Sequence, residues 1–179
     1  QESLRLEPKN VQAQRALAAF LRSTGRAAEA EAPLKAVAEI AKDNASRLAL
    51  ADYYIAGQRV PDALPILKTV VATTDGLAEA TLRLAAIDYT QNKKAEAHKA
   101  VDDVLVKYPK HTQMLLLKAR FLLLESRLDD ALTKAKAAVA ETPESAAAQF
   151  LLGTIYQAKQ DSANAIAAQN GVLELLLAN

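Results

Sequence analysis

Hydrophobic residues along this chain fall on helical faces, and the arrangement of those faces returns every 34 residues or so. The two clearest copies are apolar runs that end at Pro109 and at Pro143, 34 residues apart. Within the copies, apolar residues recur at i, i+3, i+4 and i+7, the spacing that places side chains on one face of an α-helix. Short polar turns separate paired runs. The pattern predicts an all-α chain of about five helix-turn-helix repeats.

Successive copies divide the whole chain. Residues 1–10 match the end of a second helix from an earlier repeat, so we expect the chain to be a fragment of a longer array. Repeats are predicted at 11–43, 44–78, 79–111, 112–145 and 146–179. Their internal turns are predicted at Gly25, Gly57-Gln58, Asn92-Lys93, Ser126-Arg127 and Gln160-Asp161. The turn of the third repeat is expected to be one residue short.

Small residues recur in the first helix of each repeat, where a larger side chain would hold the two helices apart. The predicted set is Ala18, Ala51, Ala86, Ala119 and Gly153. Asn44 and Ser145 are predicted N-caps of first helices. Pro33 and Pro65 fall inside second helices, where proline removes a backbone hydrogen bond, and they predict a bend or a late start.

Composition narrows the classes of function. The formal net charge is +1, from 22 Lys and Arg against 21 Asp and Glu, so no global field attracts nucleic acid or an anionic membrane. Hydrophobic residues make up 51% of the chain, yet their runs stay well short of the roughly 20 residues of a membrane span. The absence of cysteine removes disulfides, thiolate metal sites and cysteine nucleophiles. We therefore expect no nucleic-acid partner and no membrane insertion, while bacterial cytoplasm and periplasm both stay open.

Residues that could carry catalysis are few. His98 and His111 have no carboxylates at ligand spacing, and both are expected at the surface. Adjacent carboxylates such as Asp102 and Asp103 diverge by about 100° around a helix, so they do not form a catalytic pair. No phosphate-binding, nucleophile-elbow or zinc-protease pattern occurs. The sequence predicts no enzyme, no cofactor and no metal site.

The last copy carries the most specific motif. Leu152-Gly153 is followed one turn later by Tyr156, and Ala165-Ile166 begins nine residues beyond that tyrosine. Together with the closing prolines, this order resembles the tetratricopeptide repeat (TPR), whose period is about 34 residues. The resemblance covers essentially the whole chain and implies a right-handed α-α superhelix, a TPR solenoid. It also implies a concave groove built largely from the first helix of each repeat.

Groove residues follow from the resemblance, by counting from the start of each repeat. The predicted groove consists of Arg15, Arg22, Leu48, Asp52, Ile55, Arg83, Ile87, Leu116, Arg120, Leu123, Phe150, Thr154 and Gln157. Arginines beside apolar residues suit a peptide or helix with apolar anchors and some acidic character. A register shift of one position would instead place several of the aliphatic members in the core. The carboxylate clamp of chaperone-adaptor TPRs is not matched, because Ala19 stands where that clamp has asparagine.

The final stretch, 172–179, is the most apolar helix end in the chain, whereas TPR arrays usually finish with a polar capping helix. The exposed positions Leu173, Leu176 and Leu177 are explained either by a homodimer formed through the C-terminal helix or by truncation of the next repeat, and in both cases we expect self-association. RNA reading of the pentatricopeptide kind is not expected, since the groove is partly aliphatic and the net charge is near zero.

The predicted function is a non-catalytic scaffold that holds a peptide, a helix or a partner subunit in the concave groove. Alanine-rich repeats are similar to those of bacterial TPR proteins, so a role in envelope or multiprotein complex assembly is expected. Two alternatives remain: a self-associating structural spacer, and the regulatory array of an enzyme whose catalytic domain lies outside this chain.

Overall fold

The structure, a computed structural model, describes residues 10–177, and these residues form helices joined by short turns. In chain order the helices are α1 Val11–Ser23, α2 Glu31–Ala41, α3 Asn44–Ala56, α4 Val60–Val71, α5 Leu77–Thr90, α6 Lys94–Lys107, α7 Thr112–Leu124, α8 Leu128–Glu141, α9 Ala146–Ala158 and α10 Ser162–Leu177. A 3-10 helix, Ala27–Ala30, precedes α2. Odd-numbered helices are the first helices of the five repeats, and even-numbered helices are the second.

One residue in the internal turn of each repeat adopts a left-handed backbone conformation. These turn residues are Gly25, Gln58, Asn92, Ser126 and Gln160, with φ of 75°, 57°, 62°, 60° and 61°. Their successive spacings are 33, 34, 34 and 34 residues. The third repeat therefore does not have a short turn, and that expectation was wrong. Only Gly25 adopts this conformation without a steric cost, because glycine lacks a Cβ.

In four of the five repeats described over residues 10–177, the residue after the turn residue contacts a side chain three positions later, in the first turn of the second helix. Arg26 pairs with Glu29 at 2.6 Å, and Arg59 pairs with Asp62 at 2.7 Å. The same spacing recurs in later repeats, where Arg127 pairs with Asp130 and Asp161 accepts a hydrogen bond from Asn164. Each pair clasps the exposed first turn of the second helix.

Four of the five first helices begin at a side-chain cap that the structure describes. The Ser145 hydroxyl accepts a hydrogen bond from the Ala148 N–H, which confirms the predicted cap. The predicted cap at Asn44 was wrong by one residue, because Asp43 accepts from the Ser46 N–H at 2.6 Å. Asn44 is the first helical residue, and its amide donates to the Thr73 hydroxyl at 2.8 Å. The other described caps are Asn10 and His111.

Two small residues in each repeat allow its helices to approach closely. Seven positions before the turn residue stand Ala18, Ala51, Ala85, Ala119 and Gly153, all of them buried. Five positions after it stand Ala30, Ala63, Ala97, Ala131 and Ala165, also buried. A Cβ built on Gly153 would lie 3.4 Å from the Cβ of Ala168, at van der Waals contact. The choice of Ala86 in the third repeat was wrong by one residue, since Ala85 occupies this position.

The two internal prolines behave differently. In the first repeat the α-helix starts late, at Glu31 after the 3-10 helix, so Pro33 lies in the first turn where no backbone donor is needed. In the second repeat α4 begins at Val60 and continues through Pro65, so the helix does not start late there.

The chain divides after Ala80 into two compact units, which are described separately below. In the first unit the largest fully buried side chains include Leu67 and Val70. In the second unit one apolar cluster contains Leu115, Leu116, Ala119, Leu122, Ala131, Ala135, Ala138, Ala148, Leu151 and Ile155. Across residues 10–177, no helix combines the length and the apolarity that crossing a membrane requires.

Candidate partner-binding surfaces

The predicted groove residues differ in accessibility. Arg15, Arg22, Asp52, Arg120, Phe150 and Gln157 are exposed, whereas Ile55, Arg83, Leu123 and Thr154 are half-buried. Leu48, Ile87 and Leu116 are buried, so they contribute to packing and do not offer a surface to a ligand. Leu116 belongs to the apolar cluster of the second unit. The proposed apolar anchors are thereby reduced to Ile55, Leu123 and Phe150.

The turn residues reveal a register error in the third repeat. Counted backwards from the turn residue, the predicted groove positions of the other repeats stand ten, six and three residues away. Arg83 and Ile87 stand nine and five residues before Asn92, so they lie on a different face of their helix. The equivalent residues of α5 are Leu82, Ala86 and Tyr89.

The exposed arginines are not equivalent in their surroundings. Arg15 donates to the Ser46 hydroxyl at 3.0 Å and lies 3.6 Å from the Asp43 carboxylate, so it is held at the start of α3. Arg22 and Arg120 make no side-chain hydrogen bond or ion pair within residues 10–177. Those two guanidinium groups are therefore available to an acidic partner.

A cavity of about 430 Å³ lies where α1 and the 3-10 helix of the first repeat meet α3 of the second. We call the packing between these two repeats the first joint. Its cavity is lined by Arg22, Ala27, Ala28, Glu31, Tyr53, Ala56, Gly57 and Arg59. The Tyr53 hydroxyl donates to the Ala28 carbonyl at 3.3 Å and ties the second repeat to the first. Sequence reasoning missed this cavity, because its walls come from two repeats and a 3-10 helix.

Charges at the rim of the first joint are tightly coupled. Arg59 lies 2.6 Å from the Glu31 carboxylate, and its guanidinium stacks over the ring of Tyr54 at 4.7 Å. Glu31 also pairs with Lys35 at 2.7 Å and accepts a hydrogen bond from the Tyr54 hydroxyl. Hydrogen bonds from Arg59 and Lys35 lower the pKa of Glu31 from its ordinary 4.5 to about 2. The carboxylate of Glu31 is therefore charged and already partnered, whereas the guanidinium of Arg22, on the same cavity, has no ion-pair partner within residues 10–177.

The packing between the third and fourth repeats, which we call the second joint, is closed by aromatic rings. Tyr89 and Phe121 stack with centroids 4.1 Å apart and an interplanar angle of 7°. The Tyr89 hydroxyl donates to the Phe121 carbonyl at 3.2 Å. The ring of His98 lies edge-on to Phe121 at 5.5 Å. Three aromatic rings thus fill the space between these repeats.

His98 was expected at the surface, and this expectation was wrong. Its side chain is only 16% exposed, and Nε2 lies 3.1 Å from a carboxylate oxygen of Glu125. Within residues 10–177 its buried Nδ1 has no hydrogen-bond partner. Burial raises the pKa of Glu125, but interactions with His98, Lys94 and Tyr89 together outweigh this and leave that pKa below its ordinary value. His111, in contrast, caps α7 through Nδ1.

The second joint also contains a charged pair between α6 and α7. Lys118 donates to the Asp102 carboxylate at 2.7 Å, and the lysine side chain is only 11% exposed. Leu50 of α3 occupies the equivalent position in the first unit, eight residues before the turn residue. A buried lysine therefore replaces a core leucine in the fourth repeat.

The last repeat presents an apolar surface. Its exposed large apolar side chains are Phe150, Ile166, Leu173, Leu176 and Leu177. Phe150 is 65% exposed, whereas Leu116, at the equivalent position one repeat earlier, is 2% exposed because residues of α8 and α9 cover it. The predicted self-association residues are thus accessible to a partner.

The described residues contain no group of histidine, cysteine and carboxylate side chains that could hold a metal ion. The available chemistry is that of a binding surface: guanidinium groups, aromatic faces and aliphatic patches.

Comparison with known proteins supports the helical repeat fold described above. Residues 6–173 match the sequence model of a family described as ChAPs (Chs5p-Arf1p-binding proteins). No curated protein matches the chain. Similar solved structures include TTC0263, a thermophilic TPR protein from Thermus thermophilus, with 22% identity, 92% of this chain and 91% of that chain covered, and a TM-score of 0.70.

Two further structures extend the comparison. The 41-end portion of MamA from Desulfovibrio magneticus RS-1 is 18% identical, covers 94% of this chain and 96% of its own length, and has a TM-score of 0.62. YrrB, described as a TPR protein with an unusual peptide-binding site, is 14% identical, covers 97% and 90%, and has a TM-score of 0.54. The prediction of an all-α TPR solenoid is confirmed.

Proposed function

The chain belongs to the ChAPs (Chs5p-Arf1p-binding proteins) family and is a protein-interaction scaffold, and we propose that it holds a peptide, a helix or a partner subunit against its first helices without catalysing a reaction. The observation that carries the proposal is the accessible guanidinium of Arg120 close to Leu123 on α7. Residues three positions apart lie about one helical turn from each other, so the side chains of Arg120 and Leu123 share a face of α7. An acidic and apolar partner segment complements this pair.

Each unit contributes its own stretch of binding surface. In the first unit the accessible members are Arg22, Asp52 and the half-buried Ile55. In the second unit they are Arg120, Leu123, Phe150, Thr154 and Gln157. Arg83 is half-buried on the neighbouring face of α5, and we do not retain it in the proposed surface. The retained surface is smaller than the sequence predicted and less apolar.

Charge reversal on α7 tests the proposal. The chain and the variants Arg120→Glu and Leu123→Asp are immobilised, and proteins captured from lysate are identified by mass spectrometry. Both variants are expected to lose at least ten-fold of the captured partner while their helical circular dichroism is unchanged. Lys107→Glu is the matched control, since it reverses an exposed charge on α6 outside the proposed surface. Equal capture by all four proteins contradicts groove binding and favours the structural spacer.

Self-association is the second candidate function, and the exposed leucines of α10 favour it. Leu173, Leu176 and Leu177 would be shielded from water if a second copy of the chain packed against the last helix. Light scattering after size-exclusion chromatography is expected to show a dimer that becomes a monomer in the Leu173→Glu/Leu176→Glu double variant. Val106→Glu is the control, because Val106 is more exposed than Leu173 and Leu176 but lies on α6. A monomer in every case contradicts self-association.

Bacterial envelope assembly and the regulation of a linked enzyme remain predictions. Either would place the same binding surface in a larger complex. Identification of the protein captured by the intact surface distinguishes them.

A further inference from the structure

The first and second joints place corresponding side chains around the same backbone frame. Three residues before the turn residue, Arg22 corresponds to Tyr89. Five residues before the next turn residue, Tyr53 corresponds to Phe121. These pairs allow the contents of one joint to indicate what the other can accept.

In the second joint the space between the repeats is occupied by the ring of Tyr89, which stacks on Phe121. In the first joint the corresponding residue is Arg22, which is exposed and supplies no ring. Gly57 replaces Glu125 at the rim and has no side chain to occupy the opening. The cavity of about 430 Å³ is therefore the counterpart of a volume that an aromatic side chain occupies elsewhere in the same protein.

The walls of the cavity suit an aromatic ring. Ala27, Ala28 and Ala56 provide small apolar contacts, and Tyr53 provides an aromatic face with no stacked partner among the described residues. A volume of this size lies in the range of ligand pockets, about 300–1,000 Å³. Stacking between two rings stabilises a contact beyond simple area burial, so the exposed face of Tyr53 favours an aromatic ligand over an aliphatic one.

The charge at the rim of the cavity indicates which residue of a partner would lie beside the partner's aromatic ring. The carboxylate of Glu31 is already partnered by Arg59 and Lys35. Arg22 has no such partner within the described chain and lines the same cavity. The unbalanced charge at the rim is thus positive, and a guanidinium group binds carboxylates with two parallel hydrogen bonds.

We propose that the cavity of the first joint binds an aromatic side chain of a protein partner, with an adjacent carboxylate of that partner held by Arg22. The proposal rests on the proposed scaffold function in one respect: that function is the reason for taking the ligand to be a segment of a protein. It locates a specific recognition site between α1, the 3-10 helix and α3, separate from the surface of Arg120 and Leu123.

The test is an NMR titration of the ¹⁵N-labelled chain with the peptide acetyl-Asp-Phe-Asp-amide, compared with acetyl-Asp-Ala-Asp-amide. Binding of the phenylalanine peptide is expected to shift the backbone amide signals of Ala28, Ala56 and Gly57 in a saturable manner. The alanine peptide is expected to bind at least ten-fold more weakly. Equal binding of both peptides, or shifts confined to other residues, overturns the proposal.

Two variants of Arg22 separate the ring from the charge. Arg22→Tyr supplies the side chain that fills the second joint and is expected to weaken the phenylalanine peptide at least ten-fold. Arg22→Ala keeps the cavity open and is expected to weaken the peptide several-fold through loss of the carboxylate contact. Lys107→Tyr, which replaces an exposed cation of α6 outside both proposed surfaces, is the matched control and is expected to leave the affinity unchanged. Unaltered affinity in Arg22→Tyr, or a loss in Lys107→Tyr equal to it, overturns the proposal.

Failure of this site and failure of the proposed function give different results. Loss of partner capture in Arg120→Glu, without any shift at the cavity amides, overturns the cavity and leaves the scaffold surface of α7 intact. Saturable binding at the cavity, together with undiminished capture by Arg120→Glu, supports the cavity and contradicts the surface of α7.

Discussion

The first and second joints connect consecutive repeats with the same backbone elements, yet one is open and the other is closed. Both follow a left-handed turn residue, and both have buried alanines seven positions before it and five positions after it. In the first joint Arg22 and Gly57 leave a cavity, whereas in the second Tyr89 and Glu125 close it. The difference shows that the repeat frame is specified separately from the side chains that determine ligand binding.

The distinction between residues that form the repeat frame and residues at the edge of a joint indicates which positions tolerate substitution. The buried alanines between the two helices of a repeat cannot be replaced by larger residues without forcing the helices apart, because protein interiors are packed to crystal-like density. Residues three and one positions before the turn residue lie at the edge of the joint, and there an arginine and a tyrosine are both accommodated. The joint edge is consequently the place where repeats of one fold acquire different ligands.

The largest expected difference between the joints is the cost of removing the ring that faces the preceding repeat. Phe121→Ala should lower the free energy of unfolding by about 3–4 kcal/mol, since it leaves a cavity beside Tyr89 and His98. Tyr53→Ala should cost about 1–2 kcal/mol, because this ring is half-buried and already faces an open cavity. Urea unfolding followed by circular dichroism measures both. Equal losses would mean that the open joint is packed as tightly as the closed one.

A second prediction concerns the charged pair of the closed joint. Asp102→Ala should lower the free energy of unfolding by about 1–2 kcal/mol, because it leaves the nearly buried ammonium of Lys118 without its partner. Lys118→Leu should be neutral or raise stability by about 1 kcal/mol, since leucine occupies the corresponding position of α3. Thermal unfolding of the two variants provides the comparison. A loss in Lys118→Leu as large as that in Asp102→Ala would show that the ion pair itself stabilises this joint.

Converting the open joint to the closed kind gives a smaller effect. Arg22→Tyr should raise the free energy of unfolding by about 0.5–1 kcal/mol, because the new ring can stack on Tyr53 as Tyr89 stacks on Phe121. The urea midpoint of the variant, measured beside Arg22→Ala, separates stacking from the loss of charge. A tyrosine variant no more stable than the alanine variant would indicate that the ring does not enter the cavity.

The smallest expected effect depends on pH and arises at the rim of the open joint. The pKa of Glu31 is about 2 in the folded chain, below its ordinary 4.5. A carboxyl group with a depressed pKa in the folded state stabilises the fold above its unfolded pKa, and this contribution disappears as the pH falls through the folded value. Glu31→Gln should therefore be less stable than the parent at pH 7, with a difference that shrinks between pH 4.5 and pH 2.

Urea midpoints of the parent and of Glu31→Gln at pH 7, 4 and 2.5 measure this effect. Asp103→Asn is a suitable control, because its pair with Lys99 on α6 is highly exposed. A stability difference between parent and Glu31→Gln that does not vary with pH would show that the glutamine acts through packing and not through charge.

The sequence contained enough information for the fold but not for the register of every repeat. Helical periodicity and the recurring small residues identified the first and second helices, because these features depend on spacing alone. The register of the third repeat is hard to predict because Tyr89 stands three positions before its turn residue, whereas Tyr54 and Tyr156 stand four positions before theirs. The turn residues themselves would have corrected this, since a polar residue followed by a charged one recurs at 34-residue spacing from Gln58 onwards.

The candidate sites were harder to predict, for a physical reason. Burial of Leu48 and Leu116 depends on the neighbouring repeat that covers them, which a single helical pattern does not show. The cavity arises from what is absent, a ring at Arg22 and a side chain at Gly57, and only comparison between joints makes that absence visible. His98 was assigned to the surface because polar residues usually lie there, yet its ring completes an aromatic cluster.

Because the joints contain different side chains, removing or reordering repeats would change the contacts between them. In the second unit Tyr89 meets Phe121, whereas Leu123 packs into the cluster that contains Ile155. Excision of one complete repeat, α7 with α8, would preserve the turns and the alanine contacts but would bring Tyr89 opposite Ile155. Recombination that removes this repeat would thus lose the ring stack between Tyr89 and Phe121. The joints encode the order of the repeats, even though the backbone frame would accept them in any order.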